Sequence, residues 1–355
     1  MKVGIIGLPQ TGKKTLFTVI TGATLRDQAM NKAVPGTADI QDRRFDRLVA
    51  MYQPRKETRA RLELVLLPKM ERENIAKGDI FREINDVDAL LHVVRAFEDD
   101  AIYHEAGSVD PLRDVEAVNA ELLIHDQIFV EKRIERLETN LKKIKDDKQQ
   151  KELELIRRMQ AHLESEQPLR LMSFTEDEDL MIRSYPLITR KELIVAFNVS
   201  EDQLAETTLL SEAKALCQRE KLEAMLVSAQ VESEISQLDS DEDRIEFMRD
   251  LGIDEPALEL LTRLCLRALG RISFFTVGPE EVHQWLVRVG SSAPVAAGAI
   301  HSDLQRGFIR AEVMKYGELI EHGSETALKG LGKVSLQGKE YTVVDGDILN
   351  IRFKV

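Results

Sequence analysis

The chain has 355 residues, 43% of them apolar, so disorder as the main state is excluded and two or three domains are expected. Its 49 lysines and arginines against 62 aspartates and glutamates give a formal charge of −13, which excludes a uniformly basic nucleic-acid coat but not a local basic face. Two distant cysteines, Cys217 and Cys265, exclude a disulfide framework and a zinc site.

In chain order, Lys2 to Gly7 reads as a short strand, too brief an apolar run for a signal peptide. A glycine-bounded loop follows, then a helix from Lys13 to about Thr21. Arg61 to Leu67 and Asp88 to Val94 are further strands, and buried strands separated by helices predict a mostly parallel sheet. Between Pro111 and Pro168 there is neither glycine nor proline. Ile128, Ile134, Leu137, Leu141 and Ile144 suit one apolar stripe, and Leu153, Ile156, Met159 and Leu163 another, which predicts a long antiparallel helical hairpin with a polar tip at Lys145 to Gln150. From Glu131 to Arg158 it carries 10 basic against 7 acidic residues, a solvated face or a binding surface.

The α/β pattern resumes at Glu192 to Asn198, with a helix near Leu204 to Arg219, a strand near Glu223 to Ser228 and a helical stretch closing near Gly270. After Gly278-Pro279, short β-like runs at Trp285 to Val289, Phe308 to Val313, Tyr341 to Val344 and Ile348 to Val355 predict a small β-rich domain. The expected fold class is α/β: a P-loop, mostly parallel sheet (1–111 and 168–277) interrupted by the helical hairpin (112–167), then the β-rich domain (278–355). No apolar run approaches the ~18 residues that span a bilayer. A cytoplasmic protein without membrane contact is expected.

The strongest chemical signal is Gly7-Leu8-Pro9-Gln10-Thr11-Gly12-Lys13-Lys14-Thr15, between a strand and a helix. Gly7 and Gly12 let backbone amides turn inward around phosphate oxygens, and Lys13 reaches the β- and γ-phosphates. One position breaks the motif: Lys14 stands where a serine or threonine hydroxyl ordinarily ligates Mg²⁺. Thr15, one residue on, is turned by ~100° and is no simple replacement. Either the Lys14 ammonium neutralises phosphate charge in place of the metal, or it points to solvent and the site is weak.

With these motifs, the chain resembles the YchF subfamily of Obg-like P-loop nucleotidases over essentially its whole length. The matching blocks include GLPQTGKKTLF at Gly7 to Phe17, DALLHVVRAFEDD at Asp88 to Asp100, FNVSEDQL at Phe197 to Leu204, AAGAIHSDLQRGFIRAEV at Ala296 to Val313, and the ending EYTVVDGDILNIRFKV. The resemblance implies a nucleotide-binding domain, an inserted hairpin and a C-terminal TGS domain of β-grasp type. It implies ATP or GTP as ligand, with Mg²⁺ left open, and contact with ribosome or RNA through the TGS domain and the hairpin. Asn198-Val199-Ser200-Glu201 matches the family's Asn-x-x-Glu, which implies base recognition by Asn198 and Glu201, with Val199 touching the base through its backbone; read alone, the same residues suit a helix cap. Ser228-Ala229 resembles the loop against the base. His104 matches a histidine held near the γ-phosphate, proposed there to assist water in place of the glutamine of Ras-like enzymes.

The switch region departs from that pattern. Where Asp-x-Ala-Gly is expected after a strand, the chain has Leu66-Leu67-Pro68-Lys69, and residues 37 to 77 hold no glycine. The stretch near Met30 to Thr37 lacks a clear match, and Lys69 to Glu83 reads as polar helix or loop. Groups serving Mg²⁺ and the γ-phosphate are replaced, whereas the phosphate-cradling ones remain. The reading is a purine-nucleotide-binding, translation-associated protein with weakened or absent Mg²⁺-dependent hydrolysis; the alternatives are a slow ATPase or GTPase with rearranged metal chemistry, and an interaction scaffold without nucleotide. In the C-terminal domain, His301, Arg306, Phe308, Arg310 and Lys315 suggest a mixed basic and aromatic surface, or Phe308 is core.

Overall fold

The computed structural model describes residues 2–25, 32–71, 75, 78–205, 207–238, 240–253 and 255–354. Met30 and Asn31, at the start of the expected switch I stretch, and residues 72–74 and 76–77 within Lys69 to Glu83 lie outside the described residues. The strands are β1 (Lys2–Ile6), β2 (Val34–Asp39), β3 (Lys56–Thr58), β4 (Arg61–Leu66), β5 (Ala89–Arg95), β6 (Glu192–Asn198), β7 (Glu223–Val227), β8 (Arg271–Thr276), β9 (Glu281–Arg288), β10 (Phe308–Lys315), β11 (Ser335–Gln337) and β12 (Asp347–Phe353).

The chain divides into two units, residues 1–38 with 63–261, and residues 39–62 with 262–355. The first is built on a sheet of order β2-β4-β1-β5-β6-β7, in which β4, β1, β5, β6 and β7 run parallel. Its central strands are covered on both faces, so β5 is buried at every residue and β6 from Leu193 onward. That explains why they read as apolar runs without alternation. The helix Lys13–Thr21 leaves the end of β1, so the Gly7–Gly12 loop lies at the carboxyl edge of the parallel strands, where such sheets bind ligands.

Helices Pro111–Leu141 and Asp147–Glu164 form the hairpin between β5 and β6. Asp110 caps the first by accepting from the Arg113 amide, ahead of Pro111, and Asp146 caps the second from the Lys148 and Gln149 amides. Leu153, Ile156, Met159 and Leu163 are buried as expected, against Val130 and Leu137. The first stripe is corrected. Ile128 and Ile144 are 46% and 73% exposed. The seam runs through Val130, Ile134, Leu137 and Leu141; Ile128 precedes Val130 by two residues, about 200° around the helix, and Ile144 lies beyond the helix end. The tip is correspondingly 142–146, earlier than expected.

The second unit holds a mixed sheet of order β11-β10-β12-β8-β9-β3. β12 lies antiparallel to β10 and parallel to β8, β9 antiparallel to β8, and β3 parallel to β9. One side of its core gathers Phe274, Val287, Phe308 and Leu349; the other joins Phe45 and Leu48, from the helix Arg43–Tyr52, to Phe275, Val282, Met314 and Ile348. Three sequence expectations shift here. The strand expected at Trp285 starts at Glu281; Tyr341 to Val344 is not a strand but holds the isolated bridge Ser292–Thr342; and β8, before Gly278-Pro279, already belongs to this sheet. Phe308 is buried in the core, so it is removed from the expected basic and aromatic surface.

Candidate phosphate-binding site

The loop after β1 is shaped by its two glycines. A Cβ on Gly7 would stand 2.5 Å from the Val93 carbonyl oxygen, and one on Gly12, at φ 83°, would stand 2.1 Å from Asn198 Nδ2. Gln10 also takes positive φ, at 58°. Thr11 is buried, and its hydroxyl donates to the Leu8 carbonyl at 3.3 Å. The turn is thereby held closed from within.

Lys13, at the start of the helix, is 5% exposed. Its ammonium donates to the Gly7 carbonyl at 3.2 Å and to the Pro68 carbonyl at 2.9 Å. The Met70 amide also donates to the Gly7 carbonyl, at 3.3 Å. The segment after β4 therefore runs against the loop at the place where a sensor glycine is expected. Burial, reinforced by the nearby Lys69 and Lys14 charges, lowers the Lys13 pKa to about 7. Lys14 is half-buried and Thr15 is exposed.

Asn198, at the end of β6, ties the loop to the rest of the unit. Its Nδ2 donates to the Thr11 carbonyl at 3.0 Å, and its Oδ1 accepts from the Ala229 amide at 3.0 Å. Its carboxamide thus joins the phosphate loop to the first amide of the helix Ala229–Gln237 and does not cap the turn that follows β6. Ser228 instead caps the helix Ala229–Gln237 by accepting from the Val231 amide. Val199 is buried with its amide donating to the Val227 carbonyl, and Glu201 is exposed. Gly7, Thr11, Gly12, Lys13, Asn198 and Ala229 are therefore joined by direct contacts.

His104 stands in a different arrangement. The Ala106 amide donates to Nδ1 at 3.2 Å, so the neutral ring carries its proton on Nε2 and gives it to the Asp114 carboxylate at 2.9 Å. Arg113 holds the same carboxylate at 2.9 Å. With both ring nitrogens engaged, the imidazole as placed offers no lone pair to an attacking water. Arg95, which the sequence reading missed, is buried at the end of β5 and donates to the carbonyls of Phe97, Asp99 and Ile102. It rivets the loop leading to His104; a lone arginine ending an apolar run was the available signal. His92, three residues earlier on β5 and likewise buried, has neither ring nitrogen hydrogen-bonded, and burial, with the Lys13 charge, lowers its pKa to about 3.

The residues fit a polyphosphate but not the usual magnesium ion. Lys14 occupies the position of the ligating hydroxyl and Leu66 that of the strand-end aspartate, and neither an ammonium nor an isobutyl group can ligate the ion.

A strand, phosphate loop and helix at the carboxyl edge of a parallel sheet, braced by an asparagine from β6, define the P-loop nucleotidase class. Residues 271–354 match the family model YchF-GTPase_C, described as a protein of unknown function (DUF933). The chain is 37% identical to the ribosome-binding ATPase YchF of Bacillus subtilis over 367 aligned residues, covering 100% of both chains. It is 35% identical to Obg-like ATPase 1 of Oryza sativa subsp. japonica, covering 100% of this chain and 92% of the relative. The solved YchF GTPase of Schizosaccharomyces pombe superposes with a TM-score of 0.83 at 29% identity, covering 99% of this chain and 97% of that one. The chain belongs to the YchF family of Obg-like ATPases. Among the described residues no helix is long and apolar enough to cross a membrane.

Proposed function

We propose that this protein binds ATP or GTP, associates with the ribosome, and has weakened or lost Mg²⁺-dependent hydrolysis. The observation that carries the reading is the intact phosphate loop, with Lys13 aimed along it and Asn198 bracing it, beside a replaced metal and sensor set at Lys14, Leu66 and Lys69. Asn198, Val199, Glu201, Ser228 and Ala229 form the side on which the base would lie. Without metal charge compensation, several kcal/mol of transition-state stabilisation is missing, which corresponds to orders of magnitude in rate.

Ribosome association is proposed from the relatives named as ribosome-binding ATPases. Two surfaces suit it. The hairpin tip exposes Lys142, Lys143, Lys145, Lys148 and Lys151 around the exposed Ile144. In the C-terminal unit, a TGS domain in this reading, His301, Arg306, Arg310 and Lys315 are exposed. Contacts of this kind to RNA phosphates weaken steeply with salt.

The test is co-sedimentation of the purified protein with ribosomes across a salt series, alongside steady-state turnover of ATP and GTP. The expected result is nucleotide-responsive, salt-sensitive binding with turnover at background. Steady Mg²⁺-dependent turnover abolished by His104→Ala overturns the loss of hydrolysis.

A further inference from the structure

The phosphate site gathers more positive charge than a P-loop ordinarily carries on its own side chains. A P-loop usually meets a triphosphate with one lysine and one divalent cation, formally +3. Here Lys13, Lys14 and Lys69 offer the same formal +3 without a metal once a bound polyphosphate holds the proton on the buried Lys13 and displaces the Glu71 carboxylate from Lys69. Their placement follows from the backbone. Lys14 succeeds Lys13 in the first turn of the helix, and Lys69 follows Pro68, whose carbonyl accepts from the Lys13 ammonium at 2.9 Å. Lys14 is half-buried and the Lys69 side chain is 35% exposed, so both keep access to solvent beside the loop.

We infer that this site takes a nucleoside triphosphate without a divalent cation, Lys14 and Lys69 standing in for the magnesium ion beside Lys13. The inference rests on the nucleotide-binding reading and goes beyond it by naming the ionic form of the ligand, the metal-free triphosphate.

Three observations support it. The two positions that would hold the metal, after the loop lysine and at the end of β4, carry an ammonium and an isobutyl group; the first repels a cation and the second cannot ligate one. Lys14 adjoins Lys13 in the helix and Lys69 adjoins the Pro68 carbonyl that Lys13 grips, so the backbone brings three lysines to one loop, and a bound polyphosphate relieves their mutual repulsion. The Lys69 ammonium also lies 3.3 Å from a Glu71 carboxylate oxygen. That pair is partly exposed, and such pairs contribute little. Magnesium complexed to the triphosphate would cancel charge that the lysines otherwise meet, so excess Mg²⁺ should weaken binding here, whereas it strengthens binding where the metal has ligands.

The experiment is equilibrium binding of ATP to the full chain, followed by calorimetry or a fluorescent ATP analogue, in EDTA and in excess MgCl₂. The expected result is affinity in EDTA equal to or tighter than in Mg²⁺. The double variant Lys14→Ser/Lys69→Gly, checked for an unchanged thermal melt, is expected to lose at least about tenfold in EDTA and to regain part of that loss with Mg²⁺. Wild-type binding that requires Mg²⁺ overturns the inference and leaves nucleotide binding standing. No ATP binding in either buffer overturns the nucleotide reading itself. The two wild-type arms decide the matter even if the variant fails to fold.

Discussion

Lys13 is held by two carbonyl oxygens and little else, Gly7 at 3.2 Å and Pro68 at 2.9 Å, in a pocket that excludes most water. Burial outweighs those bonds, and its pKa falls from 10.5 to about 7. The sign of the consequence follows from proton counting. Between about pH 7 and 10.5 the unfolded chain keeps a proton on this lysine that the folded chain has lost, so stability rises with pH through that window. The penalty for folding around a charged Lys13 is complete below about pH 7. Denaturant unfolding across the window should therefore show a rising component of at most about 1.4 kcal/mol per pH unit, which Lys13→Met abolishes. A profile unchanged by that substitution would show that the group is not desolvated as described. The identity of Lys13 and Asn198 was readable in the sequence, because loop spacing and strand context mark them. Their partners were not: the Pro68 carbonyl and the Ala229 amide are backbone groups, present at every residue and distinguished only by the fold. Asn198 was open to two readings for the same reason, since an asparagine after a strand suits both a cap and a brace until its partners are seen.

The inserted hairpin is held at the scale of whole elements by an apolar seam and by buried carboxylates, Asp126 foremost. Asp126 is fully buried and accepts from the Ile188 amide at 2.9 Å, the Thr189 amide at 2.8 Å and the Thr189 hydroxyl at 2.7 Å. It thereby fastens the first helix to the segment that leads into β6. Met159, in the seam, is fully buried among Leu155, Ile156 and Leu163, whereas Ile128 is on the outer face. Met159→Ala should cost about 2–5 kcal/mol, by transfer and cavity terms, and Ile128→Lys less than about 0.5 kcal/mol. Thermal unfolding of the two variants checks both, and equal effects would mean the seam is misplaced. The existence and length of both helices were legible, since no breaker occurs across 112–167 and both carry apolar residues at helical spacing. The phase of the first was not. Its outer face also carries isoleucines, so several stripes fit the letters, and only the partner helix selects one.

At the scale of the molecule, the second unit is assembled from two stretches of chain. The helix Arg43–Tyr52 places Phe45 and Leu48 in its core, β3 pairs with β9, and Tyr52 donates its hydroxyl to Glu325 at 2.8 Å. That helix is not among the elements the sequence reading placed, and a sequence boundary drawn at 278 could not show that residues 39–62 contribute. A fragment of residues 262–355 alone should melt lower and less cooperatively than one in which 39–62 is fused to it through a flexible linker, read by circular dichroism and by binding of an apolar dye. Equal melts would mean that the core is complete without the earlier stretch. The same discontinuity sets an order of events during synthesis. Residues 39–62 leave the ribosome roughly 200 positions ahead of the partners they pack against. At ~5–20 residues per second they wait on the order of 10–40 s with an oily helix face uncovered. Until translation reaches the carboxyl-terminal stretch, the nascent polypeptide needs a temporary cover for Phe45 and Leu48, which makes the newborn chain, rather than the finished protein, the form of this molecule most exposed to chaperones and to aggregation.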